Sequence, residues 1–283
     1  MTQLRKVAKI VTGRRAVDGA GVHLVRVIGY HDTKDFDPFL MLDAFDSQNP
    51  ADYVKGFPWH PHRGIETITY LISGDIEHGD SLGNSGSILD GDCQWMTAGS
   101  GIIHQEMPKA SPRMLGAQLW LNLPAKDKMT DPLYGDIRRD QVPVIRENGS
   151  TVRIVAGEYG GRPGAFEGKF VPATYLDVEL EPGAEWTFDS DPEWTLFLYS
   201  FAGQAAFDPD ESVLYDERQA ILFERGGEQL WVRAGDKGIR FILVTGQPLR
   251  EPIAWGGPIV MNTREELDQA FAELDNNTFI RHR

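Results

Sequence analysis

A single cysteine, Cys93, in 283 residues leaves no internal disulfide partner, which fits a reducing compartment, and the chain reads as cytoplasmic. Basic residues are also scarce: 28 Lys plus Arg stand against 42 Asp plus Glu, a net charge of −14. A surface of that sign repels phosphate backbones and anionic bilayers, which argues against direct nucleic-acid binding and membrane association. No uninterrupted apolar run approaches the roughly 18 residues of a spanning helix. The opening MTQLRKVAKIVTGRR is basic but lacks the apolar stretch of a signal peptide. Histidine is the most unevenly missing residue, with none between His104 and His282. Borderline transition metals prefer imidazole, so a metal site is not expected in the second half.

What is present points to strands. Thirty glycines and seventeen prolines are spread along the chain, punctuating many short β-branched and aromatic runs, and the reading is all-β. The length exceeds the usual single domain, so two β-barrels of similar size are expected. The runs VAKIVTG near the N-terminus and VHLVRVI at 22–28 flank the polar turn Asp18-Gly19-Ala20-Gly21 and read as a hairpin. MLGAQLWLNLP at 114–124 alternates and should close the first barrel, and the polar, Pro/Gly-broken stretch 125–141 reads as a linker. The expected divisions are a first barrel over 1–135, a metal-free second over 142–260, and a helix with tail over 261–283. The helix is signalled by Thr263 and Glu266 as a capping box, with Leu267, Ala270, Phe271 and Leu274 at helical spacing.

The stretch Gly56 to Pro108 concentrates the chemistry. It holds His60-Pro61-His62 and His104-Gln105-Glu106. Residues two apart on a strand share a face with roots about 6–7 Å apart, so one strand can aim two ligands at one ion. Two such pairs brought together would supply three imidazole nitrogens and one carboxylate oxygen, leaving open positions on a six-coordinate metal. Pro61 removes a backbone donor and places the first pair at a sheet edge or rim. His23, inside a strand, and His31, in a polar loop, have no partner ligand nearby and read as structural or surface residues. His78 lies in a turn-rich segment and should be exposed or hydrogen-bonded. Cys93 reads as a buried small apolar residue.

HPHRGIETITYLISG followed by GDCQWMTAGSGIIHQEMP resembles the signature of the pirins, a branch of the cupin superfamily, and DPFLMLDAF at 37–45 and GPIVMNTREELDQAF at 257–271 extend the likeness over most of the chain. The resemblance implies a bicupin of two jelly-roll barrels, with metal ligands at His60, His62, His104 and Glu106. In other cupins a glutamate placed like Glu66 is itself a ligand; on a straight strand it would stand about 13 Å from His62, and the pirin pattern favours Glu106 with Glu66 behind it. The resemblance also implies one divalent transition metal, Fe(II) first, with Mn, Co, Ni, Cu or Zn equally suited to such N/O ligands. The activity implied is quercetin 2,3-dioxygenase chemistry on a small aromatic substrate with O2, releasing carbon monoxide, with Glu106 as both ligand and base. The alternative it implies is a metal- and redox-responsive regulator that binds a protein partner, a transcription factor or metabolic enzyme, without turnover.

Overall fold

The structure is a computed structural model describing residues 2–210 and 213–281. The chain is all-β apart from short turns of helix and the C-terminal helix Arg264–Asp275. It forms two compact units, neither of them contiguous in sequence. One takes the residues up to Gly13 with Asp140–Pro248, and the other takes Arg14–Arg139 with the chain from Leu249 onward.

The N-terminal strand therefore differs from the hairpin expectation. Val7–Val11 pairs with Ala220–Phe223, and the hairpin across Asp18–Gly21 is made instead by Arg14–Asp18 and Val22–Ile28. Alternation states that VAKIV has one buried face but not which sheet covers it. Here Val7 packs on the core of its own unit, the one it shares with Asp140–Pro248.

Among the described residues the histidine-bearing unit has two main antiparallel sheets, besides a two-stranded hairpin near the C-terminus. The larger runs in the order Leu133–Ile137, Cys93–Thr97, Ile65–Ser73, Met114–Asn122, Phe39–Ser47, Val22–Ile28, Arg14–Asp18. The smaller runs Phe57–His62, Ile102–Pro108, Ile76–Asp80, Ser85–Ile88. In Ile102–Pro108 burial alternates strictly, with Ile102, His104, Glu106 and Pro108 inward, the period-2 pattern that puts a histidine and a glutamate on one face. Its apolar floor is Leu40, Met41, Ile65, Met96, Ile102 and Trp120.

The C-terminal helix belongs to this unit. Thr263 accepts from the Glu266 amide while Glu266 returns to the Thr263 amide, closing the capping box. Leu267 and Ala270 pack with Ile259, Met261 and Phe279. The other unit is built on an eight-stranded sheet, with a two-stranded ribbon of Glu158–Tyr159 and Arg162–Pro163 beside it in sequence. Its interior is filled by Val152, Leu176, Trp186, Leu198 and Phe241 among others, which is the packing of a core.

Candidate metal centre

Phe57–His62 and Ile102–Pro108 pair antiparallel in a register that sets His60 opposite His104 and His62 opposite Ile102. The three imidazoles converge: ring centroids lie 4.8 Å apart for His60 and His62, 4.4 Å for His60 and His104, and 5.0 Å for His62 and His104. Each offers a ligand nitrogen, all within 4.8 Å of one another. His62 and His104 are buried and His60 is half-buried.

The outer hydrogen bonds fix the tautomers. His60 Nδ1 lies 2.9 Å from the Pro58 carbonyl and His62 Nδ1 3.1 Å from the Pro258 carbonyl. A carbonyl only accepts, so both Nδ1 atoms carry the proton and both Nε2 atoms present lone pairs. Those two Nε2 atoms are 3.1 Å apart. His104 Nε2 is buried with no hydrogen-bond partner. Burial, then the neighbouring His104 and His60, hold His62 well below the ordinary imidazole pKa, against the Pro258 carbonyl, which raises it. Burial and then His60 and His78 do the same to His104. Two imidazole lone pairs that face each other repel unless a cation lies between them, and a buried ring nitrogen left without a partner costs about 1–3 kcal/mol. These donors fit a divalent metal of the borderline class.

Glu106 lies two residues beyond His104 on the same buried face, after a bulge in the pairing with Phe57–His62. Gln118 Nε2 donates to both of its carboxylate oxygens at 2.9 and 3.0 Å, and Thr69 Oγ1 donates to Oε1 at 3.1 Å. The 4.8 Å cluster of ligand atoms comprises the three histidines; Glu106 lies outside it, in the wall of the same cavity. That cavity, about 770 Å³, is lined by His60, His62, Glu106, Gln118, Trp120 and Trp255 among others.

The remaining sequence candidates lie elsewhere. Both carboxylate oxygens of buried Glu66 are taken, by Thr97 Oγ1 at 2.7 Å and Trp95 Nε1 at 3.1 Å. His78 is buried, opposite Glu106 on the neighbouring strand, with Nδ1 2.7 Å from the Tyr134 hydroxyl. His23 is exposed, 3.6 Å from Asp52, and His31 packs edge-on against Tyr30. Cys93 is buried, and that burial pushes its thiol pKa up.

The Pirin profile matches residues 21–121 and that of the Pirin C-terminal cupin domain matches 175–280. A Pseudomonas aeruginosa protein named "Putative quercetin 2,3-dioxygenase PA3240" is 43% identical over 96% of this chain and 97% of its own length. This chain belongs to the pirin family. Human pirin is 38% identical over 98% of this chain and 94% of its own length. A solved quercetin 2,3-dioxygenase from Acinetobacter baumannii superposes with a TM-score of 0.89 at 32% identity, covering 98% of each chain. Like other pirins this chain is a bicupin. No helix among the described residues is long and apolar enough to cross a membrane.

Several residues that shape this pirin site were not singled out from sequence. Gln118 is a polar residue in the middle of the apolar run MLGAQLWL, and that interruption was the available signal. Pro258 and Trp255 arrive from the far end of the chain on a hairpin, Ala254–Gly256 with Ile259–Met261. Gly64 allows its approach: with φ +77°, a Cβ there would stand 2.0 Å from the Val260 carbonyl oxygen. Buried Lys128 locks the arrangement, donating to the carbonyls of Gly64 and Val260, both at 2.9 Å, and to Asn122 Oδ1 at 2.7 Å.

Proposed function

We propose that this pirin is a metal-dependent dioxygenase that opens the ring of a flavonol-like aromatic with O2. The observation that carries this reading is three histidines, each with a ligand nitrogen within 4.8 Å of the others, at the head of an aromatic-lined cavity of about 770 Å³. His60, His62 and His104 would hold the ion, with Glu106 as the fourth ligand. Fe(II) is the first choice, and Mn, Co, Ni, Cu and Zn suit the same donors. Once bound, the metal would supply Lewis acidity toward a substrate hydroxyl and, for every candidate but redox-inert Zn, a redox partner for O2.

The protein's own part is positional and protic. Gln118 and Thr69 orient the Glu106 carboxylate, which would take the proton of the ring hydroxyl being activated. The indole N–H groups of Trp120 and Trp255 are committed, to Gln118 Oε1 at 3.2 Å and to the Gly257 carbonyl at 2.8 Å. The two side chains therefore offer apolar ring surface to a ligand and exclude water. In another part of the lining Arg26 is bound by both Asp43 and Asp18. Two carboxylates to one guanidinium favour a hydroxyl donor over an anionic group, as a neutral polyphenol would provide.

The test is anaerobic reconstitution with Fe(II), Mn, Co, Ni and Cu in turn, followed by oxygen and carbon monoxide readouts with quercetin, wild type beside His62→Ala and Glu106→Ala. Metal-dependent carbon monoxide release lost in both variants is expected. Bound metal with no oxygen uptake in any form would sink the reading and turn attention to protein partners.

A further inference from the structure

The hairpin from the C-terminal segment does more than close the unit. Its two-residue turn is Gly257-Pro258, with Gly257 at φ +53°, a left-handed position that suits glycine. The turn delivers the Pro258 carbonyl to His62 Nδ1, while Trp255, three residues earlier, is set against Trp120. Their ring centroids are 5.8 Å apart and tilted 38°. Trp120 in turn stands edge-on to His62 at 5.0 Å. On its other side Trp255 meets Tyr30 at 5.8 Å, and Tyr30 is 60% exposed. One continuous aromatic wall thus runs from the cavity mouth to the imidazole cluster.

This wall is held rigidly. Lys128 and Arg63 fix the outgoing strand, Lys128 through the Val260 carbonyl and Arg63 through its own carbonyl, which accepts from the Val260 amide at 3.1 Å. The Trp255 indole is pinned by its bond to Gly257. A half-buried, oriented indole on the lining of a cavity is a stacking surface, and stacking rewards flat ligands over puckered ones.

We propose that Trp255 is a specificity-determining residue of this site: with Trp120 it forms the wall on which a planar aromatic ligand lies, and it sets the preference for flat over puckered rings. This rests on the reading of the cavity as a substrate site, though not on the dioxygenase reaction itself.

The test reads binding without turnover. Full-length, metal-reconstituted protein is titrated calorimetrically under anaerobic conditions with three probes: quercetin, its 2,3-dihydro analogue with a puckered central ring, and 2,3-dihydroxynaphthalene as a flat non-flavonol. Wild type should bind the flat probes more tightly than the puckered one. Trp255→Ala should weaken both flat probes roughly tenfold, leave the puckered one nearly unchanged and retain its metal, and Trp255→Phe should recover most of the loss. The proposal is overturned if wild type binds no flat probe or shows no preference. It is equally overturned if Trp255→Ala binds flat probes as wild type does, or loses all three probes alike without rescue by phenylalanine. Binding that depends on Trp255 without oxygen uptake would remove the dioxygenase reading alone and leave this assignment standing.

Discussion

His104→Leu should invert the stability order of variant and wild type when metal is added. In the metal-free protein His104 Nε2 is buried and unpartnered, a state that costs about 1–3 kcal/mol. Leucine fills a similar volume without that unpartnered nitrogen, and volume-conserving swaps usually cost under about 1.5 kcal/mol. The metal-free variant is therefore expected between roughly equal and about 3 kcal/mol more stable than wild type. With free metal at about a thousand times Kd, binding stabilises wild type by about 4 kcal/mol, and a variant short of one imidazole loses most of that. At about 2–4 °C per kcal/mol, the wild-type midpoint should rise roughly 8–16 °C on metal addition. Thermal and urea unfolding with chelator and then with metal, for both proteins, give the four numbers. A metal-free His104→Leu protein more than about 2 kcal/mol weaker than wild type would show that the imidazole is already satisfied. Equal metal stabilisation of both proteins would show that it is no ligand.

The same burial predicts a pH dependence for the metal-free protein. His62 and His104 are held well below 6.5 in the folded state, so below about pH 6.5 the unfolded chain takes protons that the native one refuses, and stability falls with pH by about 1.4 kcal/mol per unit for each group; urea midpoints at pH 7.5, 6.5 and 5.5 should show this slope, reduced in His104→Leu, and equal slopes would contradict it. Gln118→Leu removes the donor shared by both Glu106 oxygens, a charged hydrogen bond of about 1.5–3 kcal/mol. Turnover should drop roughly ten- to a hundredfold while metal affinity changes less than about tenfold, and oxygen-uptake kinetics beside a metal titration separate the two. Lys128→Met strands three buried acceptors, the carbonyls of Gly64 and Val260 and Asn122 Oδ1; it should cost about 3 kcal/mol in urea unfolding and weaken metal binding by loosening the hairpin that orients His62. Unchanged metal affinity in that variant would uncouple the hairpin from the site.

Local pattern carried the site further than it carried the connectivity. The convergence of His60, His62 and His104 was legible because residues two apart on a strand share a face, and Ile102–Pro108 alternates as its sequence says, with His104 and Glu106 both inward. The capping box at Thr263 and Glu266 was legible for the same reason, since it is settled within one turn. The destination of Val7–Val11 was not, because an alternating strand fits either sheet and only tertiary packing chooses. Nor was the role of Pro258, whose carbonyl reaches His62 across 196 residues of chain. Glu66 shows the limit of phase arguments: it shares parity with His60 and His62, yet Thr97 and Trp95 on the adjacent strand claim its carboxylate. Gln118 read as part of a closing strand, and only its neighbours across the sheet disclose that it holds Glu106.

The central claim, one metal ion held by His60, His62, His104 and Glu106, is tested most directly by X-ray absorption at the metal edge of the anaerobically reconstituted protein, wild type beside Glu106→Ala. The account predicts one ion per chain with three imidazole ligands, and an oxygen ligand that disappears in Glu106→Ala while the imidazoles remain. Fewer than three imidazoles, or a coordination shell that Glu106→Ala leaves unchanged, would contradict it.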